Sequence, residues 1–535
     1  MSEGGWRGVV GDVQTGLRFV QQMPRFLRQR WTMETARVEL ERRLRNRTAD
    51  FLAVARRLIF DYDGSPYLPL LRRAGCEFGD LAGLVERNGI EAALATLCRA
   101  GVFLSIDEFK ANQPVVRAGA QVDFDPERLR NPLTAVHLSM KSGGSRSRGT
   151  PVFFDLTFIH DCALDTGLAL HCRGGDAWRK ATWEIPGGGA LFSLLEFSQF
   201  GALPVRWFSQ LDPREARLPA KYRWSGVAFT WGARLAGAAV PSPEFVPLDN
   251  ALPIARWMAD TLRRGEVPYL LSYPSSALRV CQAALDAGID LTGAHCTIAG
   301  EPCSQARMDF IRRTGATVLP KYAIMETGPV GYGCMTPEAS DDLHLLEDVH
   351  AIVQVGPADT NGLLPDGSLL FSSLRASAPL VLLNVSMGDQ ADIVRRRCGC
   401  PLEQIGWPTH VHSIRSAEKL TCGGMNFMDS DVMHVLDELL PARFGGGPSD
   451  FQVVEEESAI GEPLLTLVVR PSLGAVDERA VIDTFIQGIS RTGGANPVMA
   501  MAWQAGNRLR VERREPMATR SGKILHMHVT ARRNA

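Results

Sequence analysis

The sequence predicts an α/β protein. A large N-terminal domain would hold parallel-rich sheets with helical layers, and a small C-terminal α+β domain would follow it. Three observations predict this. The 535 residues exceed what one core ordinarily supports. From about residue 265, strand-like and helix-like segments alternate as in a parallel sheet with helical crossovers. After about residue 412 the rhythm changes to two strands, a helix and a basic tail. The expected units are therefore 1–412, with a helical region over about 1–110, and 413–535.

Residues 13–105 read as helical. The run "METARVELERRLRNRTADFLAVARRLIF" is rich in Arg, Glu, Leu and Ala, with apolar residues three and four apart. Its arginines read mostly as a solvated face. Next, "VPYLLSYPSS" reads as a strand and turn, and "SALRVCQAALDAG" as a helix stopped at Gly288. "AHCTIAGEP" reads as a strand, "CSQARMDFIRRTG" as a helix stopped at Gly315, and "ATVLPKYAIME" as a strand. "AIVQVG" and "GSLLFSSL" flank a Pro-Asp-Gly turn and predict a hairpin. Near the end "FQVVEEE" and "PLLTLVVR" predict strands. "AVDERAVIDTFIQGI" predicts a helix capped by Asp477, with Ile482, Ile486 and Ile489 on one face.

Composition narrows the function classes. The chain is 45% hydrophobic and 22% charged, with a formal net charge of -1. That balance gives no general attraction to nucleic acid or to an anionic membrane. No apolar run approaches the length of a membrane span, so no stable membrane insertion is expected. "MSEGGWRGVVGDV" lacks the basic and apolar regions of a secretory signal. Eleven cysteines in so long a chain do not make a disulfide scaffold. They imply a reducing, cytoplasmic setting with thiols free or on a metal.

Four separated segments carry the chemistry. "SGGSRSRGTP" is a Gly/Ser/Arg loop of the kind whose backbone N–H groups can converge on phosphate. "YAIMETG" (residues 322–328) follows a strand, "LLNVSMGD" (382–389) follows the hairpin, and "TRSGKIL" lies close to the end. Together, in this order, they resemble the adenylate-forming superfamily of acyl- and aryl-CoA ligases and adenylation domains. "IAGEPCSQ", "CGCPLEQIG" and "IRSAEKLTCGGMNF" resemble segments of its phenylacetate-CoA ligase-like branch. The resemblance covers roughly residues 60–530. It departs at Met325, Val385, Asn384 and Ala417, where the family's motifs hold Thr, an aromatic residue, Arg and Asp.

The resemblance implies ATP-dependent activation of a small carboxylic acid, aromatic by default, to an acyl-adenylate and pyrophosphate. The acyl group then passes to an acceptor. CoA is the default; an amine, a hydroxyl or a carrier-protein thiol fits the sequence equally. A non-catalytic nucleotide-binding protein of the same fold is the alternative, and homodimerisation is left open. Implied phosphate contacts are Ser142, Gly143, Gly144, Ser145 and Thr150. Ala299, Gly300, Glu301 and Pro302 would line the adenine edge, with Tyr322 and Arg415 also at the nucleotide. Asp389 would accept from the ribose hydroxyls, and Glu326 would offer Mg²⁺ a hard oxygen ligand. Lys523 would bridge the attacking carboxylate and the α-phosphate as charge develops. The small domain would rotate between the two half-reactions.

Cys334, His344, Cys398 and Cys400 form a last candidate set, a structural zinc site. Three thiolates and an imidazole suit tetrahedral Zn²⁺, and the Cys-Gly-Cys turn can aim both sulfurs inward. The resemblance adds that related chains often carry cysteines and a histidine in matching places. The alternative is buried free thiols and a core histidine.

Overall fold

The computed structural model describes residues 18–141, 151–184, 188–201, 203–212, 240–416, 420–422, 425–427, 429–457, 463–490, 509–519 and 522–529. The predicted phosphate loop, with Ser142, Gly143, Gly144, Ser145 and Thr150, lies outside these residues. Its flanks are described: Leu138–Lys141 pairs antiparallel with Pro151–Phe154 and brings the two ends of the loop together.

One mixed sheet of twelve strands forms the centre of the large domain. In chain order they are β1 (Arg179–Glu184), β2 (Arg206–Ser209), β3 (Pro243–Phe245), β4 (Pro268–Ser272), β5 (His295–Ala299), β6 (Thr317–Ile324), β7 (Gly328–Gly333), β8 (Leu343–Leu345), β9 (His350–Gln354), β10 (Ser368–Ser373), β11 (Val385–Arg395) and β12 (Thr409–Ser416). Across the sheet the order is β9-β10-β11-β12-β8-β7-β6-β5-β4-β1-β2-β3. From β6 to β3 every neighbouring pair is parallel. From β6 to β9 every pair is antiparallel.

The two halves bury different cores. Helices α1 (Pro274–Asp286) and α2 (Gln305–Arg312) are crossovers of the parallel half. Leu278 and Val280 from α1 and Met308 and Ile311 from α2 pack on Trp183, Leu270, Cys296 and Val318. The antiparallel half packs on the N-terminal helices, where Phe51, Leu58, Leu70 and Leu94 meet Leu369, Phe371 and Val385. The N-terminal helical stretch is divided at Asn46, between helices Met33–Arg45 and Arg47–Ala55. Arg43 is an exception to the solvated-face expectation. It is 1% exposed and pairs with Glu39 and Asp161.

A smaller sheet follows, made of β13 (Phe451–Glu457), β14 (Pro463–Val469), β15 (Leu509–Arg513) and β16 (Met527–Val529), in the order β15-β14-β13-β16. Helix α3 (Glu478–Ser490) and the helical segment 429–444 cover it. Val435, Leu436, Val453, Leu467, Phe485 and Ile489 form its separate core. Asp477 caps α3, accepting from the N–H groups of Arg479 and Ala480. The large sheet runs past residue 412, since β12 continues to Ser416 beside β11. Among the described residues, no helix is long and apolar enough to cross a membrane.

Asn384, one of the departures from the family motif, has a structural role. Its backbone is left-handed at φ 51° and its side chain is fully buried. Its amide nitrogen donates to the carbonyls of Leu94 (2.7 Å) and Val102 (3.1 Å), tying an N-terminal helix to the start of β11. Replacing it with alanine removes two buried hydrogen bonds and puts a poorer residue at positive φ. Asn384→Ala should cost about 2 kcal/mol, read as a lower thermal midpoint. An unchanged midpoint would show that the two carbonyls find other donors.

Candidate active site

The parallel strands end along one edge, at Glu184, Ser272, Ala299 and Ile324. Crevices outside the carboxyl ends of such strands are where α/β sheets bind ligands. The segments "IAGEPCSQ", "YAIMETG", "LLNVSMGD" and "TRSGKIL" place described residues at this edge.

β6 carries Tyr322 and leads into the turn that holds Glu326. The pairing of β6 with β7 shifts register between Tyr322 and Ala323. Such a bulge re-aims the side chains around it. The Tyr322 hydroxyl donates to Asp389 Oδ2 at 2.5 Å, so the second and third motifs meet directly. Glu326 is buried, at 6% exposure. Arg415 lies one strand over, and its Nε donates to the amide oxygen of Gln390, the residue after Asp389 (3.3 Å).

Lys523 reaches this edge from the small domain. Its Nζ stands 5.5 Å from the centre of the Tyr273 ring. A Cβ on Gly300 would lie 3.0 Å from that Nζ, and Gly300 has φ +83°. The left-handed backbone therefore favours glycine here, and an added side chain would also press on the flexible end of the lysine. Burial lowers the ammonium's pKa, while Glu301, Glu184 and Glu326 act to raise it. Lys523 is thus a lysine taken out of water, with three acidic side chains around it.

Glu301 has a defined set of partners. Its carboxylate accepts from Ser275 N–H (2.9 Å), Ser275 Oγ (2.7 Å) and the N–H of Ile524 (3.0 Å). Sequence reasoning missed this arrangement, and missed Ser275, Tyr273 and Glu184 as neighbours of the lysine. Another missed pair is the half-buried Lys321 with the buried Glu196 at 3.3 Å, with Thr166 donating to the same glutamate. A strand-end carboxylate or lysine in one sequence has no signature that separates it from a solvated surface residue.

The cysteine and histidine set also converges. Ligand atoms of Cys334, His344, Cys398 and Cys400 all lie within 4.8 Å of one another. His344 Nε2 is 3.1 Å from Cys400 Sγ and 3.6 Å from Cys398 Sγ. Zn–S bonds of about 2.3 Å and a Zn–N bond of about 2.0 Å would set tetrahedral S···N edges of about 3.5 Å. The other ring nitrogen, Nδ1, lies 2.6 Å from the carbonyl oxygen of Trp407. Donation from Nδ1 to that carbonyl leaves the Nε2 lone pair facing the sulfurs. The Cys334 thiol, and then His344, hold the Cys400 thiol well below its ordinary pKa. The residues present therefore fit a closed N/S metal site.

No protein-family profile matches the chain, and no curated protein matches it. Solved structures do. A 2-hydroxyisobutyryl-CoA ligase in the postadenylation state, in complex with 2-HIB-AMP, aligns at TM-score 0.50 and 14% identity, over 91% of this chain and 89% of its own. The same ligase with R3-HIB-AMP aligns at TM-score 0.49 and 15% identity, over 91% and 89%. An amide bond synthetase from Marinactinospora thermotolerans aligns at TM-score 0.41 and 13% identity, over 77% and 70%. The chain has the fold of the adenylate-forming enzymes, with the smaller C-terminal domain of that architecture.

Glu184 gives the site a pH signature. Burial pushes its carboxyl up from 4.5 to about 7, with Glu196 adding and Lys321 and Lys523 opposing. Because the folded-state value is raised, ionisation weighs against folding. That cost is absent below about pH 4.5, grows through the interval to about pH 7 and is complete above it. Glu184→Gln should therefore raise the thermal midpoint at pH 8 more than at pH 5. Equal shifts at both would count against a raised carboxyl.

Proposed function

We propose that this protein is an ATP-dependent, AMP-forming carboxylate ligase of the phenylacetate-CoA ligase-like kind. The observation that carries the reading is Lys523: it stands at the carboxyl edge of the parallel strands, among Glu301, Glu184 and Glu326. The substrate is a small carboxylic acid, aromatic by the resemblance. Its carboxylate oxygen would attack the α-phosphorus of ATP, and pyrophosphate would leave with the cleaved bond's electrons. Lys523 would offset charge at the forming bond, an interaction stronger in the transition state than in the ground state. Asp389, oriented by Tyr322, would take the ribose hydroxyls. Glu326 would hold Mg²⁺, which neutralises phosphate charge. The acceptor, CoA by default, would then attack the acyl carbon and release AMP. An amine or carrier-protein thiol would serve the same step. The small domain acts as a lid for the change between half-reactions.

Acid-dependent pyrophosphate release across a panel of aryl acids tests this directly. Lys523→Ala should lower the rate by about 10²-fold or more with little change in the ATP KM. Asp389→Ala should act instead through weaker nucleotide binding. Pyrophosphate release that ignores the acid, or an undiminished Lys523→Ala rate, would refute the assignment.

The four-residue N/S set is proposed to hold structural zinc. His344 and the three cysteines would pin the segment after Glu326 to the chain beyond β11, leaving the chemistry to the edge described above. The purified protein should contain about one zinc per chain. Stripping it with a chelator should lower the thermal midpoint, and Cys400→Ser should abolish both the metal and the chelator effect. Substoichiometric zinc after growth in zinc-replete medium would refute the site.

A further inference from the structure

The residues just after Lys523 are held by buried groups of both domains. The backbone N–H of Ile524 donates to Glu301 Oε1 (3.0 Å) and lies 3.3 Å from Ser275 Oγ. Two residues on, His526 Nε2 lies 2.9 Å from Asp437 Oδ1 and 2.8 Å from Arg307 Nη2. One tautomer donates to the carboxylate and the other accepts from the guanidinium, so the ring has a partner in either form.

Arg307 joins the two halves of this contact. It belongs to α2 of the large domain and is 1% exposed. Its Nε donates to Asp437 Oδ2 at 3.0 Å, and Ser304 Oγ donates to the same oxygen at 2.6 Å. Its Nη1 lies 3.4 Å from Glu301 Oε2 and 3.3 Å from the Pro302 carbonyl. Asp437 is 2% exposed and sits in the small domain's helical segment 429–444. Burial alone would raise its pKa, yet Arg307, His526 and Ser304 hold it below the ordinary carboxylate range. The ion pair therefore crosses the domain boundary with both charges out of water.

We propose that Glu301, Arg307 and Asp437 are positioning residues that form an interdomain latch, clamping the chain around Lys523 and fixing the lid orientation in which the lysine reaches the carboxyl edge. This rests on the ligase reading for its catalytic meaning. The latch itself follows from the contacts. Substituting one partner leaves the other charge desolvated and unpaired in the closed arrangement, so loss of either residue should destabilise that arrangement. Lid rotation would have to separate Arg307 from Asp437 and Ile524 from Glu301 together. The lysine turn is braced locally as well: Thr519 N–H donates to the Lys523 carbonyl (2.7 Å), and Lys523 N–H donates to Thr519 Oγ1 (3.1 Å). The turn and the latch therefore move as one piece.

Hydrogen exchange read by mass spectrometry tests the latch without any substrate. In Asp437→Asn, the peptide 522–529 should exchange at least about 10-fold faster, while strand Phe451–Glu457 keeps its protection. Pyrophosphate release should fall through kcat, with the KM values for ATP and the acid little changed. If the 451–457 strand also loses protection, the substitution has loosened the small domain itself. Arg307→Lys, which keeps the charge and shortens the reach, then decides by the same two peptides. Unchanged exchange at 522–529 in a folded variant overturns the latch. If the native chain releases no acid-dependent pyrophosphate, the ligase reading falls, and the exchange arm still decides whether the contact holds the lid.

Discussion

Parallel strand ends are the constraint on which the rest of the site depends. Strands β1, β4, β5 and β6 run side by side, so their carboxyl ends open on one edge and their connecting turns must leave from it. The turns bring Glu184, Tyr273, Gly300 and Glu326 together from positions far apart in sequence. The antiparallel half then supplies Asp389 against Tyr322. Gly300 lies beside the Lys523 ammonium, where an added Cβ would stand 3.0 Å from Nζ.

The charge arrangement at that edge follows from burial. Glu184 and Glu326 are carboxylates placed where water is scarce, and each is an electrostatic neighbour of Lys523. A site that collects negative side chains holds a cation without needing a direct ion pair. An anion brought to this edge meets opposing influences, repelled by the carboxylates and attracted by the lysine.

Much of this was legible in the sequence. The segment from Pro268 to Ile324 has short continuous apolar runs in the strands, a period near 3.6 in the helices, and Gly288 and Gly315 just past the helix ends, both at positive φ. Local patterning is sufficient for such elements. The four Cys and His side chains were legible as a set, because soft ligands are scarce and a Cys-Gly-Cys turn is unusual. The interdomain contact was not legible. Arg307 lies in a helix whose sequence reads as amphipathic and surface-facing, and Asp437 reads as a solvated helix acid. Only the docking of one domain on the other buries them, and no local pattern encodes that. Asn384 was similar: a missing motif arginine from the sequence, a buried brace in the fold.

The N/S cluster has a consequence for the unfolded chain. Cys334 and Cys400 are joined through His344 across a stretch that contains β8 to β11, including Asp389. A metal bound there would close a loop of about 66 residues. In a chain-entropy treatment, such a cross-link removes about 4 kcal/mol of disorder from the denatured ensemble. The gain would fall on the strand that carries Asp389, which meets Tyr322 at the carboxyl edge. Metal supply during synthesis would then influence how many chains reach a folded state, as well as how firmly the finished site is held.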